Sequence, residues 1–520
     1  MVSGAGRRAL IARPWLGATL AVVLAGVASI LLRQDSNWDL QNYHLYNAWA
    51  FVHGRYGLDW APAQLQTFHS PYLDLPFYAL LAAGAPPRAI AFALAIPTGI
   101  SWYFFARIVR RTLAGLDEGV RNTAMVVAFA IGITAPMSVS LIGLTMNDWY
   151  TAAFVMAALW LVVRGETAPP AASALFAAGL LVGAGAGLKL TGAIYGLGLA
   201  GGLLALRDAR WRSTAIACAG MAVAFAATAG PWMWTMFERY GNPLFPYWND
   251  VFRSPWGDPV SYTASRFGPA SWAEWLAFPF MLLVKLEHYV SEPEFRDARP
   301  ALLYVLALVA LVVALRRRGA QRAACGATDA WRFLVGFFVV SFIAWAAMYR
   351  IWRYLVPLEM LAGLMIACLV VRLVPARHAK LALAAAVALV VVTAKFPTWW
   401  RQPFGDAFLA VEMPPVKPNA LVLLVAAEPL SYVLPSFPAD ARFAGLVSNF
   451  NGPDRTNRLQ QAIAAAIRDH RGPLYALAVP PGRDEGGAAL AQVGLARAAC
   501  ATITTNLRVS PLELCELRRL

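Results

Sequence analysis

Charge is scarce in this sequence. Only 14% of its 520 residues are Asp, Glu, Lys or Arg, and acids are the rarer sign, 29 against 44 bases. A soluble domain carries about a quarter charged residues, so the composition excludes an ordinary soluble protein. There is no Gly-rich nucleotide loop, no internal repeat, and no low-complexity tract beyond Ala- and Leu-rich stretches. Without repeats, the inverted halves common in transporters find no support. The chain has 6 His and 5 Cys. His44, His53 and His69 share one loop with an acid, Asp39, but their spacing is that of no standard zinc motif.

What is present is apolar. Hydrophobic residues make up 59% of the chain, and mean hydropathy is +0.54. They come in runs of about 18 to 24, long enough to cross a hydrocarbon core of ~30 Å. The formal charge of +15 does not point to nucleic acid. Arg clusters mark the ends of the runs, as the positive-inside rule requires, and many of the 19 Trp fall near the same ends. The fold class is therefore mainly α, a polytopic transmembrane bundle. Spans are predicted at about 15–33, 88–107, 121–143, 148–164, two within 171–207 meeting near Lys189, then 213–235, 299–315, 331–348, 355–373 and 380–396, about eleven in all. Arg7, Arg8 and Arg13 put the N-terminus inside. No small-residue cleavage site follows the first run, so it reads as an anchor. Loops 34–86 and 238–297 are then external. The inner loops hold the basic groups, among them RIVRR, Arg164, Arg207, Arg210, Arg212 and the run at 316–319.

Beyond residue 398 the composition changes. Segment 399–520 reads as a small external α/β domain. ALVLLV (420–425), ARFAGLV (441–447) and LYALAV (474–479) are predicted strands, and 455–470 an amphipathic helix. Cys218 and Cys368 lie in spans and Cys325 in an inner loop. Cys500 and Cys515 lie in the external domain, where either a disulfide or two buried thiols satisfies the sequence.

Polar chemistry concentrates in residues 39–77, DLQNYHLYNAWAFVHGRYGLDWAPAQLQTFHSPYLDLPF, directly after the first span. Asp39 has two readings there, a catalytic carboxylate or a cap of an amphipathic surface helix over 40–53. Asp148, where the third span turns into the fourth, has the same two. Lys189 in GAGAGLKLTG needs an anionic partner, a wet cavity, or a snorkelling path to the interface. Arg350, Arg353 and Tyr354 close the ninth span. With Lys189 they offer a site for a phosphate, which Arg matches with two bonds.

In this order the motifs resemble the GT-C glycosyltransferases, most closely the aminoarabinose transferase and protein O-mannosyltransferase branch. An acid followed by a Tyr opens the first external loop, here Asp39 and Tyr43. FVHGRYG, HSPYLDLPFYALL and GAPPRAIAFAL are similar to that loop's turn and Pro-rich segments. Asp148 matches the second acid, GLKLTG with Lys189 the Gly-rich hairpin, Pro231-Trp232 the seventh span, and WRYLVP the late Arg-Tyr-Pro segment. Leu40 stands where many members have Glu. The loop GNPLFPYWND (241–250) has no assigned counterpart.

The resemblance implies transfer of a sugar from a polyprenyl-phosphate carrier to an envelope acceptor, with inversion, at the outer face of a bacterial inner membrane. It implies Asp39 as general base with Asp148 as second acid. Lys189, Arg350, Arg353 and Tyr354 would face the donor phosphate, and Tyr43, His44 and His69 would line the cleft. No cofactor or metal is called for by these residues. Two other readings stay open, a flippase for lipid-linked sugars and an inactive carrier-binding member of the fold. The basic inner loops predict opposite sides for reporters fused after Arg164 and after Arg401. The same side for both would overturn this topology.

Overall fold

The computed structural model describes residues 14–165, 170–262, 267–284, 289–316, 329–480 and 486–520. Arg7, Arg8, Arg13, Cys325 and residues 317–319 lie outside the described residues. Among those described, seven helices are long and apolar enough to cross a membrane: Pro14–Leu31, Pro87–Thr112, Arg210–Tyr240, Arg299–Arg316, Asp329–Met348, Trp352–Leu373 and Ala376–Thr393. Three shorter apolar helices, Asp148–Val163, Ala172–Leu188 and Leu190–Leu204, complete the set. Eleven spans are therefore not established. The reason is clearest at 121–143. Helix Glu118–Ile133 stops early because Pro136 holds Ala135 extended (φ −63°, ψ 132°). A five-residue helix, Pro136–Ser140, and a turn through Gly143 (φ 71°) then bring the chain to Asp148.

The hairpin that carries Lys189 depends on small residues. Gly179, Gly183 and Gly187 share a face of Ala172–Leu188. A methyl group there would lie 2.1 Å from the Ala217 carbonyl, 2.3 Å from that of Met221 and 2.0 Å from the Thr228 hydroxyl. The backbone of Arg210–Tyr240 thus runs directly against the glycines, as small residues permit between membrane helices. At Lys189 the chain turns extended (φ −141°, ψ 105°), and a 3₁₀ turn, Leu190–Gly192, starts the return helix.

After Thr393 the chain forms a six-stranded sheet. Its strands are β1 Val411–Glu412, β2 Leu421–Val425, β3 Arg442–Val447, β4 Leu474–Ala478, β5 Leu495–Thr505 and β6 Leu512–Arg519, in the order β1-β5-β6-β4-β2-β3. β3, β2 and β4 run parallel, and β6, β5 and β1 extend the sheet antiparallel. Helix Arg458–Asp469, capped by Asn457, joins β3 to β4. Both faces of β2 are covered. Leu421 and Leu423 pack with Ile463 and Ile467 of that helix. Val422 and Leu424 pack with Leu40, Leu45, Tyr46 and Trp49.

That second packing corrects the reading of 40–53 as a surface helix. A π-helical turn, Leu40–His44, leads into an α-helix, Leu45–Val52, and both are mostly buried. Arg55 binds both carboxylate oxygens of Asp59 at 2.7 Å and donates to the Ala441 carbonyl at 2.6 Å. Asp59 accepts the Phe443 amide at 3.0 Å. The first loop and the sheet are therefore locked together. Gln34 and Gln402 exchange both backbone bonds, closing the exit of the first helix onto the segment after the last.

Cys500 and Cys515 face each other across β5 and β6 and are joined. They close a loop of 15 residues, for which chain entropy predicts about 3 kcal/mol of stabilisation. Alkylation without reductant, followed by mass spectrometry, should find the pair linked. Two free thiols in protein from its native envelope would contradict it.

Candidate functional site

The site begins where the first helix ends. The Asp35 carboxylate accepts the Thr145 amide and hydroxyl, both at 2.8 Å, and the amide of Asn37 at 2.9 Å. Arg401 donates to the Ser140 and Ile142 carbonyls at 2.8 and 2.6 Å. Burial pulls the Arg401 guanidinium down to about 10, against the pull of Asp35, and it stays charged at neutral pH. The two residues staple the 140–147 turn to the start of the loop after the first helix.

Asn37, and not Asp39, caps the turn that follows, its side-chain oxygen accepting the Leu40 amide at 2.9 Å. Asp39 is helical (φ −65°, ψ −39°) and makes no capping bond. Its Oδ2 instead accepts from Arg353 Nη1 at 2.7 Å. Burial raises the Asp39 carboxyl, but Arg353, His44 and Lys189 together outweigh it and hold the group below its usual range. Asp148 is likewise no simple cap. Its Oδ1 takes Lys189 Nζ at 2.5 Å, and the same ammonium donates to the Met146 carbonyl at 2.6 Å. The two ion pairs meet at Tyr354. Lys189 Nζ lies 5.5 Å from its ring centre and Arg353 Cζ 5.3 Å, and Tyr195 donates to its carbonyl. Asp148 Oδ2 and Arg353 Nε are buried and have no hydrogen-bond partner among the described residues.

The third predicted cation is elsewhere. Arg350 closes its helix with φ 59°. Its Nε donates to the Ala346 carbonyl at 3.1 Å, and its guanidinium lies over Trp275. The structure therefore does not bring Arg350 into the cluster with Lys189 and Arg353.

Tyr43, His44 and His69 do gather beside Asp39. Tyr43 lies tilted against His44 at 4.1 Å between ring centres and meets the edge of His69 at 5.2 Å. Burial, with the Asp39 charge adding to it, raises the Tyr43 phenol well above its ordinary range. His44 Nδ1 lies 2.7 Å from Asp74, which also accepts Asn147 Nδ2 at 2.7 Å. His69 Nε2 lies 2.8 Å from the Tyr247 hydroxyl. Tyr247 comes from GNPLFPYWND. Asn249 rigidifies that loop by donating to the Ser254, Gly257 and Asp258 carbonyls. His53 takes no part, its Nδ1 facing the Trp49 carbonyl. Cys500, Glu513 and Cys515 lie together, but both sulfurs are spent in the disulfide.

Asp35, Asp74, Asn147 and Tyr247 escaped the sequence reading, since each acts through a partner far away in the chain. The only signal was the density of Asn and Asp around the turns at 35–37 and 145–148. For His69, burial lowers the imidazole to about 4. An unfolded chain protonates His near about 6.5. The stability gained from a neutral His69 is thus complete above about pH 6.5 and is lost as pH falls towards 4. The thermal midpoint should fall across that window, and fall less in His69→Gln. Equal slopes in both proteins would remove His69 as the cause.

The model of glycosyltransferase family 87 matches residues 71–341, which include Asp148 and Lys189 but not Asp39, Arg353 or Tyr354. The fold is similar to the crystal structure of ArnT from Cupriavidus metallidurans bound to undecaprenyl phosphate. The TM-score is 0.54 at 13% identity, covering 99% of this chain and 98% of that one. The apo form of the same protein gives 0.55 at 13% identity, covering 96% and 97%. No curated protein sequence matches the chain. With its family model spanning more than half of the sequence and its helices built to cross a bilayer, the chain belongs to glycosyltransferase family 87 and is a multi-pass membrane glycosyltransferase of the GT-C fold.

Proposed function

We propose that this protein moves a hexose or pentose from a polyprenyl-phosphate carrier to an envelope acceptor, a lipid, glycan or protein, on the external face of a bacterial inner membrane. The observation that carries this reading is the meeting of the Arg353–Asp39 and Lys189–Asp148 pairs at Tyr354. Two cations and two acids converge where apolar helices give way to the polar loop. A donor with an isoprenoid tail and a phosphorylated sugar needs both surroundings. The ArnT structure of like fold holds undecaprenyl phosphate, which supports a carrier of this class.

The chemistry follows from charge. The acceptor oxygen attacks the anomeric carbon as the bond to the phosphate oxygen breaks, and a single displacement inverts the centre. The phosphate gains charge as it leaves. Lys189 and the unshared Nε of Arg353 are placed to stabilise it. The proton of the attacking hydroxyl goes to Asp39. Asp148 holds Lys189 in position, and Tyr43 and His69 line the sugar side. As the phosphate draws on Arg353, its hold on the Asp39 carboxylate weakens and the base strengthens.

The test uses a panel of undecaprenyl-phosphate hexoses and pentoses with the full-length protein. In Asp39→Asn, donor binding should persist while turnover falls about 100-fold or more. In Lys189→Ala with Arg353→Ala, carrier binding should weaken, each lost charge-assisted bond being worth about 1.5 to 3 kcal/mol. A folded Asp39→Asn protein with near-parental transfer would end the assignment of the base. Unchanged carrier binding in the double variant would end that of the phosphate site.

A further inference from the structure

His44 is a buried titratable group of the cluster that the reaction above leaves idle. Its side chain is almost wholly enclosed, at 3% exposure. One ring nitrogen, Nδ1, is engaged by Asp74 at 2.7 Å. The other, Nε2, is buried and has no partner among the described residues. Burying a polar atom unsatisfied costs about 1 to 3 kcal/mol, so a fold that keeps one beside its reactive carboxylate invites a functional account. Asp74 is itself pinned, taking Asn147 from the turn that also carries Asp148.

The backbone places His44 on the same side of its turn as Asp39. Asp39 and His44 are five residues apart. In an α-helix that spacing turns side chains about 140° away from each other. Here Leu40–His44 is a π-helical turn, whose i→i+5 bonding places residues five apart on neighbouring positions of one face. The charge of His44 is among those acting on Asp39, after Arg353. The groups around the two are Tyr43 on the same turn, His69 and Asp74 on the following segment, and Arg353 and Lys189 from the bundle.

Resting on the proposed transfer reaction, we infer that His44 is a proton relay that resets Asp39 after each transfer. The acceptor O–H bond breaks and its proton goes to the Asp39 carboxylate. The proton then passes from Asp39, by way of one water, to His44 Nε2, giving an imidazolium whose Nδ1–H faces the Asp74 carboxylate. Water takes the proton as products leave, and no group changes oxidation state. Arg353 drives the handover, because a carboxyl beside a guanidinium does not keep its proton. Asp74, 2.7 Å from Nδ1, holds that side of the ring and leaves Nε2 as the atom that takes the proton.

Two variants test this. His44→Asn keeps an amide near the Nδ1 position facing Asp74, and His44→Gln keeps one near Nε2; neither accepts a proton. The probe is whichever undecaprenyl-phosphate sugar the parental protein turns over, with undecaprenyl phosphate for binding. Carrier binding and the first turnover should stay at the parental level. The steady-state rate should fall about 100-fold, with added imidazole restoring part of it. If single-turnover and steady-state rates fall together, His44 merely positions the loop and the relay is wrong. An unchanged steady-state rate also rejects it. If the parental protein turns over none of the sugars, it is the transfer reading that fails.

Discussion

Arg353 and Asp39 stand 314 residues apart in the chain and 2.7 Å apart in space. Each side chain is 11% exposed, so neither charge is well hydrated without the other. Removing one partner of such a pair typically costs about 3 to 5 kcal/mol, because the survivor is left buried and uncompensated. The rest of the site is arranged around that demand. Tyr195 holds the Tyr354 carbonyl next to Arg353, and Trp352 on its other side donates to Glu359 at 2.6 Å. Glu359 in turn accepts the amide and hydroxyl of Ser138, which fixes the broken helix leading to Asp148. The second ion pair, Lys189–Asp148, is thereby tied to the first through the fold.

The sheet domain serves the same geometry from the other side of the loop. It covers Leu40, Leu45, Tyr46 and Trp49 with Val422, Leu424 and Phe443. At about 25 cal/mol per Å² of apolar surface, this burial sets the orientation of the turn that carries Asp39, Tyr43 and His44. Arg55 lies 5.0 Å from the ring centres of both Trp49 and Phe443. It adds a cation between two aromatic faces that belong to different halves of the chain.

Much of the bundle was legible, because hydropathy and Arg placement report the same boundary independently. The junction at Lys189 was visible for that reason. The third span was misread because its apolar run continues through Pro136, where the backbone does not. β5 and β6 were overlooked because charged and exposed residues interrupt their apolar pattern, whereas β2 and β4, buried on both faces, read as plain runs. At the site, residue types could nominate Asp39, Lys189 and Arg353 but could not choose among roles. Capping and ion pairing ask for the same carboxylate, and only the placement of Asn37 and Arg353 separates them. Arg350 shows the converse. It is three residues from Arg353 and of identical chemistry, yet a single left-handed backbone angle aims it at Trp275.

The exchange of backbone bonds between Gln34 and Gln402, with Arg401 reaching the 140–147 turn, bears on how the protein is made. A chain threaded into a membrane from its N-terminus releases Asp39 and Asp148 early. Lys189 follows, Arg353 comes much later, then the clasp at 401–402, and the sheet that covers Leu40 and Trp49 comes last. Through most of synthesis Asp39 therefore stands without its ion-pair partner. The ion pairs and the clasp are complete only when helix Ala376–Thr393 is in place and the segment beyond it has folded back onto the exit of the first helix. The cluster is in this sense a late product of assembly, closed by residues far along the chain.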